Sequence, residues 1–233
     1  IARKQSMKCI VSMTTWSKRI NSCKPTLDSI INQTVKPDEI EINLSYEQFP
    51  HGMADMPEFL KSMSKEGLVT LYFKEKDQHV WDKIMPTAHR HVNEDCIIIT
   101  LDDDVSYPKT YIEEIVKNME GNDWLCSQHD DITQGQYMVY GPKAIEAFIK
   151  HIDDDFMENI PLDDHGLYWV MQKYRLKRGK KIDAICEDRQ QGYSFRRFFV
   201  DGYDEAELKD TTCDYPHREF IKERNYLHMR GIM

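Results

Sequence analysis

Apolar runs and stretches with helical spacing alternate along roughly the first 120 residues of the chain. The most apolar run, Cys96–Leu101, is unbroken, which is typical of a strand buried on both faces of a parallel sheet. Three shorter runs predict further strands: Lys8–Met13, Glu39–Leu44 and Leu68–Phe73. Strands that alternate with helices predict an α/β fold, with a mainly parallel sheet flanked by helices on both faces.

Apolar residues three or four positions apart predict helices between these strands and beyond them. The predicted helices begin near Pro25, Pro57, Trp81, Pro108, Pro142 and Asp164, and the third of them runs to His91. Several begin with proline, which suits the first turn of a helix. After Glu187 no clear period is seen, and no repeat or low-complexity linker divides the chain, so a single domain over residues 1–233 is expected.

Composition narrows the class of protein. The chain has 233 residues, of which 40% are hydrophobic and 11% aromatic, enough for one sizeable core. Its formal net charge of -9 argues against nucleic acid as a partner. A phosphate-bearing ligand is still compatible with that charge, because a metal ion or a local basic cluster can reverse the field within one cleft.

The spacing of the cysteines and the length of the apolar runs indicate where in the cell the protein is expected. Six cysteines are scattered singly, and some lie in apolar runs, as at Cys9 and Cys96, where a reduced thiol acts as a small hydrophobe. Their spacing does not match a zinc site or a disulfide framework. No run reaches the roughly 18 to 20 apolar residues of a transmembrane segment. A cytoplasmic protein is expected, in solution or at the periphery of a membrane.

Three adjacent aspartates, Asp102, Asp103 and Asp104, directly follow the Cys96–Leu101 run. Ligands of parallel sheets bind at the carboxyl ends of the strands, so these carboxylates are expected at a binding edge. In an extended segment Asp102 and Asp104 would point to one side and Asp103 to the other. Carboxylate oxygens suit Mn²⁺ or Mg²⁺, which would neutralise a diphosphate leaving group.

The alternative for this cluster is a solvated acidic turn or the start of a helix, since aspartate favours both. A second triplet, Asp153–Asp155, follows an amphipathic helix instead of a strand. There a solvated loop without a metal is the better interpretation. The contrast depends on the preceding element, because the two tripeptides are identical.

Five segments, taken in order, resemble glycosyltransferase family 2 and its GT-A relatives. They are Cys9–Trp16, Leu27–Thr34, Pro37–Ile40, Thr100–Val105 and Leu162–Gly166, and the resemblance covers roughly residues 7–175. It implies a GT-A, Rossmann-like fold. Residues 7–120 would form the half that binds a nucleotide sugar, and residues 121–233 the acceptor-binding half with a C-terminal segment.

The resemblance also implies roles for the acidic residues. Asp104 would bind the metal directly, Asp102 would contact the metal or the ribose, and Asp103 would support the nucleotide. Asp164, or Asp163 beside it, would deprotonate the acceptor hydroxyl, a step worth ~10²–10⁴-fold in rate. The alternative for Asp163 and Asp164 is helix capping.

Five further residues are expected at the nucleotide. Thr14, Thr15 and Trp16 fall where the first loop of the family meets the nucleoside, and Arg19 is a candidate contact for a phosphate or the base. Lys83 stands where relatives carry a basic residue near the diphosphate. Ordinary packing is the alternative for Trp16, and a surface position is the alternative for Lys83. His217 or His228 could add a late histidine ligand to the metal, although a lone histidine is more often a surface or core residue.

The implied activity is transfer of a sugar from a nucleotide-diphosphate sugar, by family habit a UDP-sugar, to a hydroxyl of a glycan, lipid-linked or other acceptor, with inversion. Two departures from the family pattern matter. Asn43–Tyr46 replaces paired aspartates that read uracil in many members, which puts recognition of uridine in doubt. Gln190–Arg197 is only a loose echo of the Q-x-x-R-W element of processive members, which favours transfer of a single sugar.

Three other functions are the alternatives to sugar transfer. A nucleotidyltransferase would usually carry a glycine-rich loop after the first strand, but Thr14–Arg19 contains no glycine. A phosphatase of the haloacid dehalogenase type would place its aspartates after the first strand, and here they follow roughly the fourth. A non-catalytic module that holds a sugar nucleotide is the alternative from a different class.

Overall fold

Strands in the computed structural model occupy the predicted runs, and further strands appear after them. The structure describes residues 7–126, 138–179, 196–197 and 217–233. Its strands are β1 (Lys8–Thr14), β2 (Glu39–Ser45), β3 (Thr70–Lys74), β4 (Cys96–Leu101), β5 (Val105–Ser106), β6 (Trp124–Cys126), β7 (Met138–Tyr140) and β8 (Arg196–Arg197).

Helices lie between the strands, as the spacing of apolar residues predicts. They are α1 (Lys24–Ile31), α2 (Glu58–Lys65), α3 (Met85–His91), α4 (Tyr111–Met119), α5 (Pro142–His151), α6 (Asp154–Asn159), α7 (Asp163–Lys173) and α8 (His217–Met229). Short 3₁₀ turns occupy Gly52–Asp55 and His79–Lys83.

The expectation of one helix over Trp81–His91 is wrong. The segment is split at Ile84, whose φ of -126° and ψ of -50° are not helical, and α3 begins only at Met85. Pro86 explains the split, because proline lacks an N–H and is tolerated only in the first turn of a helix. Lys83 therefore ends a separate 3₁₀ turn.

One sheet has the strand order β3-β2-β1-β4-β7-β6. β3, β2, β1 and β4 are parallel neighbours, whereas β7 runs antiparallel to both β4 and β6. The mainly parallel sheet is thus confirmed. β6 and β7 were not predicted, because three residues each are too few to show a period. β5 and β8 form a separate antiparallel pair.

Helices cover both faces of the sheet, as expected. Val11 and Met13 point to one face, where they pack with Leu27 of α1 and Ile112 of α4 in a single apolar cluster. Residues of the opposite face, among them Ile10 and Ile98, join a second cluster built from α5, α6, α7 and α8. β4 is buried at all six of its positions, as its unbroken apolar sequence predicts.

The polar positions of β2 are also buried, which its alternating sequence does not reveal. Glu41 and Asn43 are 0% and 1% exposed, because α3 covers this part of the second face. Ser12 of β1 lies level with Glu41 in the sheet and is buried with it. Beneath α3 the second face therefore combines these polar residues with the apolar Met85 and Ala88.

Four of the six cysteines lie in the described part of the chain. Cys9, Cys23, Cys96 and Cys126 are buried, as expected for thiols that act as small hydrophobes. Burial raises the pKa of Cys9 and of Cys23 to about 12. Cys186 and Cys213 lie outside the described residues, as does Gln190–Arg197 apart from β8.

Asp153–Asp155 is exposed to solvent as expected, but it begins a helix and is not a loop. Asp153 is the N-cap of α6, and its carboxylate accepts a hydrogen bond from the Phe156 amide at 2.8 Å. Arg230, after α8, lies 2.8 Å from Asp153 and 3.4 Å from Asp155. Aspartate satisfies an otherwise unpaired N–H at this position, which explains why a helix begins here.

Candidate functional site

The aspartates after β4 lie at the carboxyl edge of the parallel strands. Asp103 and Asp104 form a turn between β4 and β5, so the extended arrangement expected for the three residues is wrong. The backbone N–H of Asp102 donates a hydrogen bond to the buried hydroxyl of Tyr107 at 3.0 Å. The Asp102 carboxylate lies beside Lys83, whereas the Asp104 carboxylate lies beside Arg19.

Asp103 is the buried member and fastens the loop after β1 to the end of β4. The Thr15 hydroxyl donates to its carboxylate at 2.6 Å, and the Arg19 guanidinium lies 2.5 Å from its other oxygen. Thr26 of α1 donates to its backbone carbonyl at 3.0 Å. Burial raises the pKa of Asp103 to about 6, against the opposing effects of Arg19 and Thr15.

Arg19 bridges two of the aspartates, since it also lies 2.9 Å from Asp104. The half-buried Trp16 is in the same loop, with the Lys18 ammonium 5.1 Å from its ring centroid. The Thr14 hydroxyl donates to the backbone carbonyl of Asn43 at 2.8 Å. The predicted nucleotide loop, residues 14–19, thus lies directly beside the aspartate turn.

Lys83 joins the aspartate turn to the start of α7. Its ammonium lies 3.2 Å from Asp102 and 3.6 Å from Asp163. Burial works against the charged form, but the carboxylates of Asp163, Asp102 and Asp164 raise the pKa of Lys83 well above its ordinary value. Lys83 is therefore a largely covered, permanent cation and not a surface lysine.

Asp163 and Asp164 are the first two residues of α7. Leu162 occupies the N-cap position, so neither aspartate caps this helix through its side chain. Burial raises the pKa of Asp163, which Lys83 opposes. The pKa of Asp164 is raised well above its usual range by burial and by the charge of Asp163. A carboxylate with a raised pKa is a stronger base.

Close packing fixes the Lys83 turn against α7. Gly166 has no space for a side chain, because a Cβ there would lie 2.7 Å from both Phe156 Cε1 and Trp81 Cη2. The Trp81 indole N–H donates to the Ile160 carbonyl at 2.8 Å. The sequence interpretation missed both Trp81 and Gly166. A glycine inside a helix was the available signal, since glycine destabilises a helix unless packing requires it.

Asn43 is turned into the protein. Its amide nitrogen donates to Ser12 at 3.2 Å and to Thr87 at 3.0 Å, and its oxygen accepts from Arg90 at 2.6 Å. Thr87 and Arg90 belong to α3 and Ser12 to β1, so these contacts join the helix to the sheet. The residue that stands near the family's uracil-reading aspartates therefore has an internal role here.

A second acidic cluster lies on β2 and α3. Ligand atoms of Glu39, Glu41 and His91 lie within 4.8 Å of one another, the one such trio among the described residues. The oxygens of Glu41 already accept from Arg90, Thr87 and His91. This cluster is thus a set of internal ion pairs and hydrogen bonds.

Asp102 and Asp104 are the more exposed carboxylates of the aspartate turn. Their side chains are 29% and 16% exposed. Mg²⁺ or Mn²⁺ commonly uses one or two protein carboxylates and completes its shell with phosphate oxygens and water. Of the two candidate histidines, His228 is exposed on α8, and the side chain of His217 is outside the described residues.

Comparisons with known proteins place the fold. No family model and no curated protein matches the chain. A mannosyltransferase from Pyrobaculum calidifontis, solved with GDP-Man and Mn²⁺, has a TM-score of 0.54 at 14% identity, over 73% of this chain and 53% of that one. This chain therefore spans about half the length of the mannosyltransferase.

Two other solved structures are similar. TarS residues 1–349 from S. aureus, in complex with UDP, has a TM-score of 0.54 at 10% identity, over 95% of this chain and 74% of that one. The 4-diphosphocytidyl-2C-methyl-D-erythritol synthase from Anaerococcus prevotii has a TM-score of 0.50 at 8% identity, over 96% and 100%. The chain has the GT-A-type α/β fold predicted from its motifs. None of the helices in the described ranges is long and apolar enough to cross a membrane.

Proposed function

We propose that this protein is a metal-dependent glycosyltransferase that moves a single sugar from a nucleotide-diphosphate sugar to an acceptor hydroxyl. One observation carries the proposal: the Lys83 ammonium lies between Asp102, 3.2 Å away, and Asp163, 3.6 Å away. A donor-side carboxylate and an acceptor-side carboxylate are thereby joined through one covered cation at the carboxyl edge of the sheet, where ligands of such sheets bind.

Asp104 and Asp102 would hold Mn²⁺ or Mg²⁺ on the donor side, with the diphosphate completing the coordination shell. The metal would supply charge neutralisation for the departing diphosphate. Arg19 and Lys83 would add positive charge from two directions, and Thr14, Thr15 and Trp16 would meet the nucleoside. Asp103 would keep the loop and the turn together, and so support the nucleotide indirectly.

Asp164 would act as general base on the acceptor side. It takes the proton from the acceptor hydroxyl while the new oxygen–carbon bond forms at the anomeric carbon and the bond to the diphosphate breaks. Asp163 stays paired with Lys83. Because attack and departure occur on opposite faces of the sugar, the configuration inverts. The raised pKa of Asp164 suits a base of this kind.

Uridine is the proposed nucleoside, and the resemblance to glycosyltransferase family 2 is its support. TarS was solved with UDP, whereas the Pyrobaculum enzyme was solved with GDP-Man, so both bases belong in a donor screen. Glycans, lipid-linked sugars and other hydroxyl compounds are the proposed acceptors. The division into donor half 7–120 and acceptor half 121–233, and a cytoplasmic location, stay predictions.

Ligand-induced thermal stabilisation tests donor binding. UDP, UDP-sugars and GDP-mannose are compared with Mn²⁺ and with EDTA, and we expect a shift that requires both nucleotide and metal. A ligand at 100 times its Kd stabilises by about 2.7 kcal/mol. No metal-dependent shift with any nucleotide would overturn the proposal. If binding is present but no sugar is transferred or hydrolysed, the chain is the non-catalytic module instead.

A nucleotidyltransferase is the second candidate, because the Anaerococcus synthase matches 96% of this chain with a TM-score of 0.50. The glycine-free loop Thr14–Arg19 argues against it. Pyrophosphate release from UTP or CTP with a panel of sugar phosphates distinguishes the two activities. Pyrophosphate formation without sugar transfer would replace our proposal with this one.

A further inference from the structure

The position of Lys83 is not explained by its own element. The residue ends a 3₁₀ turn, and the chain leaves helical geometry at Ile84. The Ser12 hydroxyl donates a hydrogen bond to the backbone carbonyl of Lys83 at 2.7 Å. A side chain from β1 therefore anchors the backbone from which the ammonium reaches Asp102 and Asp163.

The direction of this hydrogen bond follows from the residues behind it. The Thr87 hydroxyl donates to Glu41 at 2.8 Å and lies 2.7 Å from Ser12 Oγ. A hydroxyl has one proton to donate, so Thr87 cannot also donate to Ser12. The Asn43 amide donates to both hydroxyl oxygens and ties them together. Thr87 Oγ1 also accepts from the Arg90 guanidinium at 3.1 Å, so its two lone pairs are filled and the Ser12 proton is left for the Lys83 carbonyl.

Glu41 is held as an acceptor by charge. Arg90 contacts its Oε2 at 2.5 Å, and a ring nitrogen of His91 lies 2.8 Å from its Oε1. Arg90 is itself stacked on the Tyr72 ring, 3.7 Å from the centroid. An ionised carboxylate only accepts hydrogen bonds, which fixes the orientation of Thr87.

The three central members of this chain of contacts are fully buried. Ser12, Glu41 and Thr87 are each 0% exposed. Elsewhere on the same face the sheet packs through Ile10 and Ile98, both buried and apolar. Apolar residues often replace a buried ionic group without loss of stability, whereas a fully satisfied polar network is rigid. This network therefore makes the backbone of the Lys83 turn rigid.

We propose that Ser12, Thr87 and Glu41 are positioning residues for Lys83. They set the backbone of the Lys83 turn, and through it the placement of the ammonium against the donor diphosphate. This inference rests on the proposed function, because it requires that Lys83 act on a nucleotide-sugar donor. None of the three contacts the donor in this scheme.

A matched pair at Thr87 tests the inference. Thr87→Val keeps the shape and loses the hydroxyl, whereas Thr87→Ser keeps the hydroxyl and loses a methyl. We expect Thr87→Val to lower kcat/KM for the donor by about tenfold to a hundredfold, since a misplacement of about 1 Å can have that effect. Thr87→Ser should stay within about threefold of the parent. Ser12→Ala removes the anchoring bond itself and keeps the test decisive if Thr87→Val does not fold.

Coupling to Lys83 separates positioning from a structural role. In a Lys83→Met background, Thr87→Val should change kcat/KM no further, although it lowers Tm as much as in the parent. Wild-type kcat/KM in folded Thr87→Val and Ser12→Ala, beside a strong loss in Lys83→Met, overturns the inference and leaves the proposed function intact. If the parent neither binds nor transfers any donor, both proposals are wrong.

Discussion

Asp102–Asp104 and Asp153–Asp155 are the same tripeptide in two different surroundings. The first follows a buried strand, and its counter-charges, Arg19 and Lys83, come from distant parts of the chain. The second follows a helix, begins α6 and pairs with Arg230. Its Asp153 and Asp155 side chains are 58% and 65% exposed, so its ion pairs with Arg230 lie largely in solvent.

This difference teaches that the preceding element, and not the composition, decides what an acidic cluster does. Carboxylates that emerge from a buried strand are partly desolvated, and cations must offset that penalty. Arg19 and Lys83, which stabilise the first triplet, are also suited to a diphosphate. The second triplet stays largely hydrated, so its pairing with Arg230 offsets a smaller penalty.

The largest expected difference between the triplets is in catalysis. Asp104→Asn should reduce metal-dependent sugar transfer by at least about a hundredfold, because it removes a ligand that contributes several kcal/mol of charge stabilisation. Asp154→Asn, a control change in the second triplet, should leave transfer unchanged. Initial rates over a Mn²⁺ titration measure both. Equal losses of transfer rate in the two variants would contradict the proposed difference between the triplets.

Asp164→Asn should lower kcat by ~10²–10⁴-fold, because an amide cannot accept the acceptor proton. Metal-dependent donor binding should persist, since Asp164 acts on the acceptor in the proposed mechanism. The measurement is transfer rate beside the thermal shift with nucleotide and Mn²⁺. Unchanged turnover would reject the base assignment.

The triplets are not wholly independent, and Gly166→Ala tests the connection. Phe156, whose amide Asp153 caps, packs with Trp81 against Gly166. A methyl group there should destabilise the fold by about 1–3 kcal/mol. That corresponds to about 2–4 °C in Tm per kcal/mol for a chain of this size. Transfer should fall as well, because the Lys83 turn and α7 are forced apart. A Tm equal to the parent's would contradict this packing.

Asp153→Ala should cost about 1 kcal/mol through loss of the cap, with no effect on transfer per folded molecule. Asp153→Ser retains a capping oxygen and should recover most of that loss. Urea unfolding curves of the three proteins provide the comparison. A clear loss of transfer rate in Asp153→Ala would show that the second triplet acts on the site.

The smallest expected effect is on pH dependence. The hydrogen bond from Arg230 lowers the pKa of Asp153 below 3.8, with a further contribution from the Phe156 amide. A lowered pKa means that the stabilisation is present above about pH 3.8 and is lost as pH falls through the folded value. The stability difference between the parent and Asp153→Ala should therefore shrink in acid. A stability difference that grows in acid would contradict a lowered pKa for Asp153.

Much of the fold follows from local pattern. β4 and the position of the first triplet could be predicted because an unbroken run of six apolar residues has one good environment in an α/β chain. β6 and β7 could not, since three residues show no period. α8 was missed as well, and its buried Tyr226 and Leu227 are adjacent and so define no helical face.

Less of the site could be predicted. The resemblance implied that Lys83 and the loop residues lie near the donor and that Asp163 or Asp164 acts on the acceptor, but it did not reveal that Lys83 pairs with Asp102 and Asp163 at once. That arrangement depends on tertiary contacts, namely Trp81 against Gly166 and Ser12 beneath the Lys83 carbonyl. Contacts between residues so far apart leave no mark on local hydrophobic spacing.

The pairing of β5 with β8 has a consequence for how the protein is made. Val105, the residue after the aspartate turn, pairs with Arg197. Long-range pairing of this kind forms late, because a long loop must close before the contact is gained. During synthesis the parallel core from β1 to β4 can assemble first. The ribbon that flanks the aspartate turn has to wait until residue 197 leaves the ribosome.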